Sequence, residues 1–85
     1  MRHKTETKEG NRLLVDIGKK ISEYRQAAGI TQTELGSRLG VSRFQMSKHE
    51  SGAAEMPITR LFRICQELNV LPPEFVRALS LRKKK

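Results

Sequence analysis

The sequence has one cysteine, three prolines, no tryptophan and only four aromatic side chains in 85 residues. Each scarcity excludes something. Cys65 has no partner for an intrachain disulfide, so a reducing, cytoplasmic setting is expected. The apolar runs fall far short of the roughly 18 residues that a membrane span requires. The opening "MRHKTETKEG" is charged and has no apolar centre, which argues against a secretory signal. Four aromatics give no apparent stacking platform for single strands, which leaves RNA binding driven by the basic ends as a weak rival reading. His3, His49 and Cys65 have no metal-ligand spacing, and no nucleophile stands beside a base. No enzyme activity, metal or cofactor is therefore expected.

Acidic residues are also scarce. Nine Asp and Glu face seventeen Lys and Arg, giving a net charge of +8 and a sequence pI near 10.3. That balance favours polyanionic partners, but it is uneven along the chain. Residues 82–85, "RKKK", hold four of the cations, and residues 1–12 hold four more against two acids. The body from 13 to 81 is only mildly basic. Its length supports a single hydrophobic core and one domain.

Residues 1–12 lack apolar periodicity and read as a charged, flexible arm. From there Leu14, Ile17, Ile21, Tyr24 and Ala28 recur at three- and four-residue steps, predicting a helix over about 14–28 that stops at Gly29. Thr31 with Glu34, and Ser42 with Gln45, repeat the hydroxyl-to-carboxylate or hydroxyl-to-amide spacing of a capping box. Two helix starts lie that close only if a short helix of about 32–39 ends at Gly40 and a second begins after Ser42. Two short helices on a glycine turn make a helix-turn-helix. The second should stop near Ser51, before Gly52. Pro57 then suits the first turn of a fourth helix, with Ile58, Leu61, Cys65 and Leu68 on one face and Asn69 at its end. Pro72 and Pro73 permit only a helix start, giving a fifth from Glu74 to about Leu81. No strand pattern is present, so the expected fold is all-α.

The third of these helices is divided by chemistry. At roughly 100° per residue, Arg43, Ser47, Ser51, Phe44 and Lys48 share one side, while Met46, His49 and Glu50 lie opposite. The first side holds two cations, two hydroxyls and an aromatic ring, with no acid to repel phosphate. Such residues can pair with guanine, contact phosphates and meet a thymine methyl group in a major groove. An exposed helix also collects them without function, so the face alone leaves both readings open; the preceding turn favours readout. Phe44 can equally pack on a neighbouring loop or chain, and His49 is expected as a half-buried ring closing the core rather than a pH sensor or ligand. Cys65 is expected in the core.

Taken together, "IGKKISEYRQAAGITQTELGSRLGVSRFQMSKHESG" and "ITRLFRICQELNV" resemble the phage repressor and Cro-like (Xre) helix-turn-helix family, over about residues 17–76. The resemblance implies a five-helix, lambda-repressor-like DNA-binding domain with the helix-turn-helix in helices 2 and 3. It further implies that Gln32 binds a backbone phosphate and that Arg43, Phe44 and Lys48 approach bases. Ser42, Ser47 and Ser51 would lie nearer the backbone, and Arg25 with Glu50 would tie helix 1 to helix 3. Departures from the family are Met46, His49 and Gly36, a loop before helix 4 without basic residues, and above all Phe44 where more polar residues are usual. The expected activity is transcriptional regulation, as a repressor, by a homodimer on a palindromic double-stranded operator. Phe75, Val76, Leu79 and Leu81 are candidates for the dimer or partner surface. The alternative is an antitoxin-type module that holds a partner protein and binds DNA secondarily.

Overall fold

Lys, Glu and Arg are good helix formers, and a helix already nucleated by a buried stripe propagates upstream at little cost. In the computed structural model, which describes residues 4–79 and side chains from residue 11 onward, helix α1 accordingly runs Lys4–Ala27. The separate arm expected over 1–12 is thereby corrected, because from Lys4 the backbone is continuous with the first helix. The tail at 82–85 lies outside the described residues.

The remaining elements are α2 (Gln32–Leu39), α3 (Arg43–Ser51), α4 (Ile58–Glu67) and α5 (Pro72–Ala78). Among the described residues the fold is all-helical. Local chemistry sets the boundaries. Thr31 Oγ1 accepts from the Glu34 amide at 3.0 Å and Glu34 Oε1 accepts from the Thr31 amide at 2.8 Å, closing the box at the start of α2. Gly40, at φ 72°, ends α2 in the left-handed region where a side chain is costly. Only half of the second expected box forms. Ser42 Oγ accepts from the Gln45 amide at 3.0 Å, but the Gln45 side chain makes no return bond. Asn69, at φ 61°, follows α4 as its sequence position suggests.

Ile21, Leu35, Leu39, Met46, Ile64, Cys65, Leu68, Val70 and Phe75 form one buried core, with Ile17, Tyr24, Leu61 and Leu79 packed around it. The α1 and α3 helices lie against one another, α2 bridges to α3 and α4, and α5 closes on α4. Two sequence expectations change here. Phe75 is 1% exposed and faces the Tyr24 ring at a centroid distance of 6.0 Å, so it is a core residue and not part of a docking surface. Leu79 also packs on the core, Val76 is exposed, and Leu81 lies outside the described residues. Conversely Ile58, expected on the inward face of α4, is exposed together with Phe62, while Ile64 takes the inward place.

Arg63 links the layers by donating to the carbonyls of Leu39 at 3.3 Å and Arg38 at 3.2 Å. A cation at these terminal carbonyls satisfies acceptors that α2 cannot use and complements its dipole.

Candidate nucleic-acid interface

Three contacts seat α3 on the body. Met46 lies in the buried core, with no exposed surface. Glu50, whose side chain is 6% exposed, accepts from Arg25 Nε at 2.6 Å and Arg25 Nη2 at 3.1 Å, a bidentate pair joining α1 to α3. Arg25 Nη1 also donates to the Ile30 carbonyl at 2.8 Å, and Gln32 Nε2 donates to Glu50 Oε1 at 3.0 Å. Both partners of the ion pair thus have further hydrogen bonds, the condition under which a poorly solvated pair is tolerated. Third, Gly18 of α1 lies directly against the carbonyls of His49 and Glu50, where a methyl group would overlap them.

His49 is 1% exposed, more deeply buried than its sequence position suggested. Arg60 Nη1 lies 3.0 Å from its Nε2. Because a guanidinium can only donate, Nε2 must accept and the proton of a neutral ring sits on Nδ1, which has no hydrogen-bond partner. Burial, and secondarily the Arg60 charge, hold the His49 pKa below the ordinary imidazole value. The unfolded chain therefore takes up this proton first as pH falls. His49's contribution to stability is whole above about pH 6.5 and declines below it, by at most about 1.4 kcal/mol per pH unit, until the folded form also protonates. Urea unfolding at about pH 7.5 and about pH 5.5, on either side of the ordinary imidazole value, should show that loss in the wild type, and a smaller one in His49→Gln.

The opposite side of α3 faces outward. Arg43 and Ser42 are exposed, Ser47 and Lys48 are half-buried, and Phe44 is 67% exposed. Lys48 Nζ sits 5.0 Å from the centroid of the Phe44 ring, a cation–π contact. With two thirds of the residue open to solvent, no loop among the described residues covers the ring. Ser42 uses its oxygen to cap α3 and keeps its hydroxyl proton for an acceptor such as a phosphate. Ser51 differs, because its hydroxyl donates to the Lys48 carbonyl at 3.2 Å. That proton is already engaged, so Ser51 is a weaker phosphate donor than its place on the helix suggests.

Gln32 stands at the first residue of α2, and a shallow depression brings it together with Thr33 and Arg43. One of its amide protons is held by Glu50; the other is available for an anion beside the helix N-terminus. Spacing assigns Gln45 to a capping box and so hides it as a site residue. With that return bond absent, its carboxamide joins the candidate set at the edge of the outward face. Among the described residues, no cluster of His, Cys, Asp and Glu is placed to hold a metal, and no helix is long and apolar enough to cross a membrane.

Residues 16–79 match the family described as a helix-turn-helix domain. The chain belongs to the Xre-type helix-turn-helix family. Over 63 residues it is 35% identical to an uncharacterized HTH-type transcriptional regulator of Sinorhizobium medicae, covering 74% of this chain and 45% of that protein. Over 54 residues it is 35% identical to antitoxin PezA of Streptococcus pneumoniae, covering 64% of this chain and 34% of PezA. The chain thus spans less than half the length of these relatives. Its fold is similar to the crystal structure of the clp gene regulator ClgR from C. glutamicum, with a TM-score of 0.73 at 25% identity over 76% of this chain and 83% of that one. It is also similar to the restriction-modification controller protein C.AhdI from Aeromonas hydrophila, with a TM-score of 0.72 at 25% identity, covering 76% and 94%. In this domain α2 and α3, joined through the Gly40 turn, are the helix-turn-helix, and α3 keeps one side turned away from the core.

Proposed function

We propose that this chain is a sequence-specific regulator of transcription, acting as a repressor, that inserts α3 into the major groove of a palindromic operator as a homodimer. The observation that carries the reading is the outward face of α3. It presents Arg43, Phe44 and Lys48 with no acid among them, while Glu50 is held inward by Arg25 and Gln32. In this reading Arg43, Phe44 and Lys48 approach bases. Ser42, Ser47 and the second Gln32 proton position the phosphates, with Ser51 a minor contributor.

A single α3 makes a small interface, which favours two copies on half-sites about one helical turn apart. The exposed Ile58 and Phe62 of α4, with Leu71 and Val76 at α5, supply the apolar surface for a second copy. Replacing Phe62 with Lys should convert a dimer to a monomer in sedimentation at micromolar concentration while leaving the fold intact. A wild type that is already monomeric, with and without operator, removes the dimer from the reading.

Similarity to PezA favours one second reading, an antitoxin-type module whose apolar face holds a partner protein and whose DNA binding is secondary. Footprinting of the cytoplasmic regulator on DNA upstream of its own gene separates the two. A symmetric protected site bound by the purified chain alone supports the operator reading; protection only with a co-purifying protein supports the other. The terminal cations add a salt-dependent term. Deleting 82–85 should flatten the dependence of log affinity on log salt by about 0.9 for each phosphate that the tail neutralises, and an unchanged slope excludes the tail from the interface.

A further inference from the structure

Phe44 and Lys48 stand one helical turn apart on the outward side of α3, and their side chains are already in contact. The ammonium over the ring leaves most of its surface open, 67% of the residue being exposed. A phenyl ring offers no hydrogen bond to a base edge. The apolar group that the major groove presents to it is the methyl at C5 of a pyrimidine, carried by thymine and by 5-methylcytosine. Lys48 has three donors and no acceptor, so its partners there are acceptors, of which guanine presents two together, O6 and N7, where adenine N7 and thymine O4 stand singly. Nζ lies 5.0 Å from the ring centroid, and contacts of about 4 Å to a methyl and about 3 Å to an acceptor extend from the two ends, so at about 3.4 Å per step the two targets lie within about three base pairs of one another.

We infer that Phe44 and Lys48 act as one composite reader of a C5-methylated pyrimidine set within about three base pairs of a guanine. The inference rests on the proposed entry of α3 into the major groove, and adds to it the chemical group that sets preference. Arg43 is separate in this respect, since it lies on the other flank of Phe44 in the helical period.

The test uses the full chain and an operator obtained by selection from randomised duplexes. Thymines are replaced singly by uracil, which removes the methyl group and keeps the pairing, and guanines by 7-deazaguanine, which removes N7. Cytosines are replaced by 5-methylcytosine. The expected result is one position per half-site at which uracil weakens wild-type binding about three- to tenfold, with Phe44→Ala indifferent to the change and Phe44→Leu still sensitive. A 7-deazaguanine within about three base pairs of that position should weaken the wild type and leave Lys48→Met unaffected. If the site carries cytosine instead, tighter binding of 5-methylcytosine by the wild type but not by Phe44→Ala assigns the methyl to that source. An operator bound tightly yet indifferent to every methyl change overturns the inference while groove reading stands. So does methyl sensitivity that persists in Phe44→Ala, or a Lys48-dependent guanine effect only more than about three base pairs away. A selection that returns no duplex overturns the groove reading and the inference together.

Discussion

Glu50→Ala is expected to lower domain stability by ~3 kcal/mol, or roughly 12–24 °C in thermal midpoint for a domain of this size. The substitution removes the acceptor for two Arg25 bonds and one Gln32 bond at once. The Arg25 side chain is 12% exposed, so water cannot fully replace the carboxylate, and only the Ile30 carbonyl at 2.8 Å remains to it. An uncompensated guanidinium in such a place costs more than the intact pair gains. Arg25→Met combined with Glu50→Leu should therefore recover much of the stability, because it removes both charges and fills the space. Thermal unfolding of the two single variants and the double variant, read as a cycle, measures the coupling directly. A Glu50→Ala midpoint within a few degrees of the wild type would mean that solvent reaches the pair.

The anchor also explains why some of the interface could be read from the sequence and some could not. Caps are local: a hydroxyl at Thr31 or Ser42 and a glycine at Gly40 act on backbone groups a few residues away, so their spacing was sufficient to delimit α2 and α3. The division of α3 was legible for the same reason, since the helical period alone separates Arg43, Phe44 and Lys48 from Met46, His49 and Glu50. What a helical period cannot decide is which of two overlapping apolar stripes meets the core. On α4, Ile58 shares one stripe with Leu61, Phe62 and Cys65, while Ile64 and Leu68 share another with Leu61 and Cys65. The structure buries the second and leaves Ile58 and Phe62 outside. Phe75 posed the same problem on α5, where one apolar residue must close the core and the sequence does not say which. The upstream extension of α1 was hidden because a helix needs no apolar periodicity once it is nucleated. Gln45 and Ser51 show a finer limit. Whether a side chain spends its hydrogen bond on its own helix is decided by rotamer, which spacing does not fix.

Gly18→Ala is expected to separate folding from DNA binding, with a stability loss of about 1–3 kcal/mol from overpacking and a larger relative loss in operator affinity. In most helix interiors alanine would improve on glycine by roughly 0.5–1 kcal/mol, so the sign of the effect is diagnostic. Here the added methyl would meet the carbonyl oxygens of both His49 and Glu50 and the Glu50 carbonyl carbon, all backbone atoms of α3 with no rotamer to change. Relief requires α3 to move away from α1. Such a shift pulls Glu50 from Arg25, stretching the bond at 2.6 Å, and changes the angle at which Arg43, Phe44 and Lys48 leave the body. Phosphate contacts at α2, including the Gln32 amide, would then no longer be in register with base contacts at α3. Chemical denaturation and operator titration of the same Gly18→Ala preparation provide the comparison, with the titration run where the variant remains folded. Full affinity in a folded Gly18→Ala domain would show that the α1–α3 spacing does not set the pose of the reading helix. A stability gain would show that the close approach at Gly18 relaxes without cost.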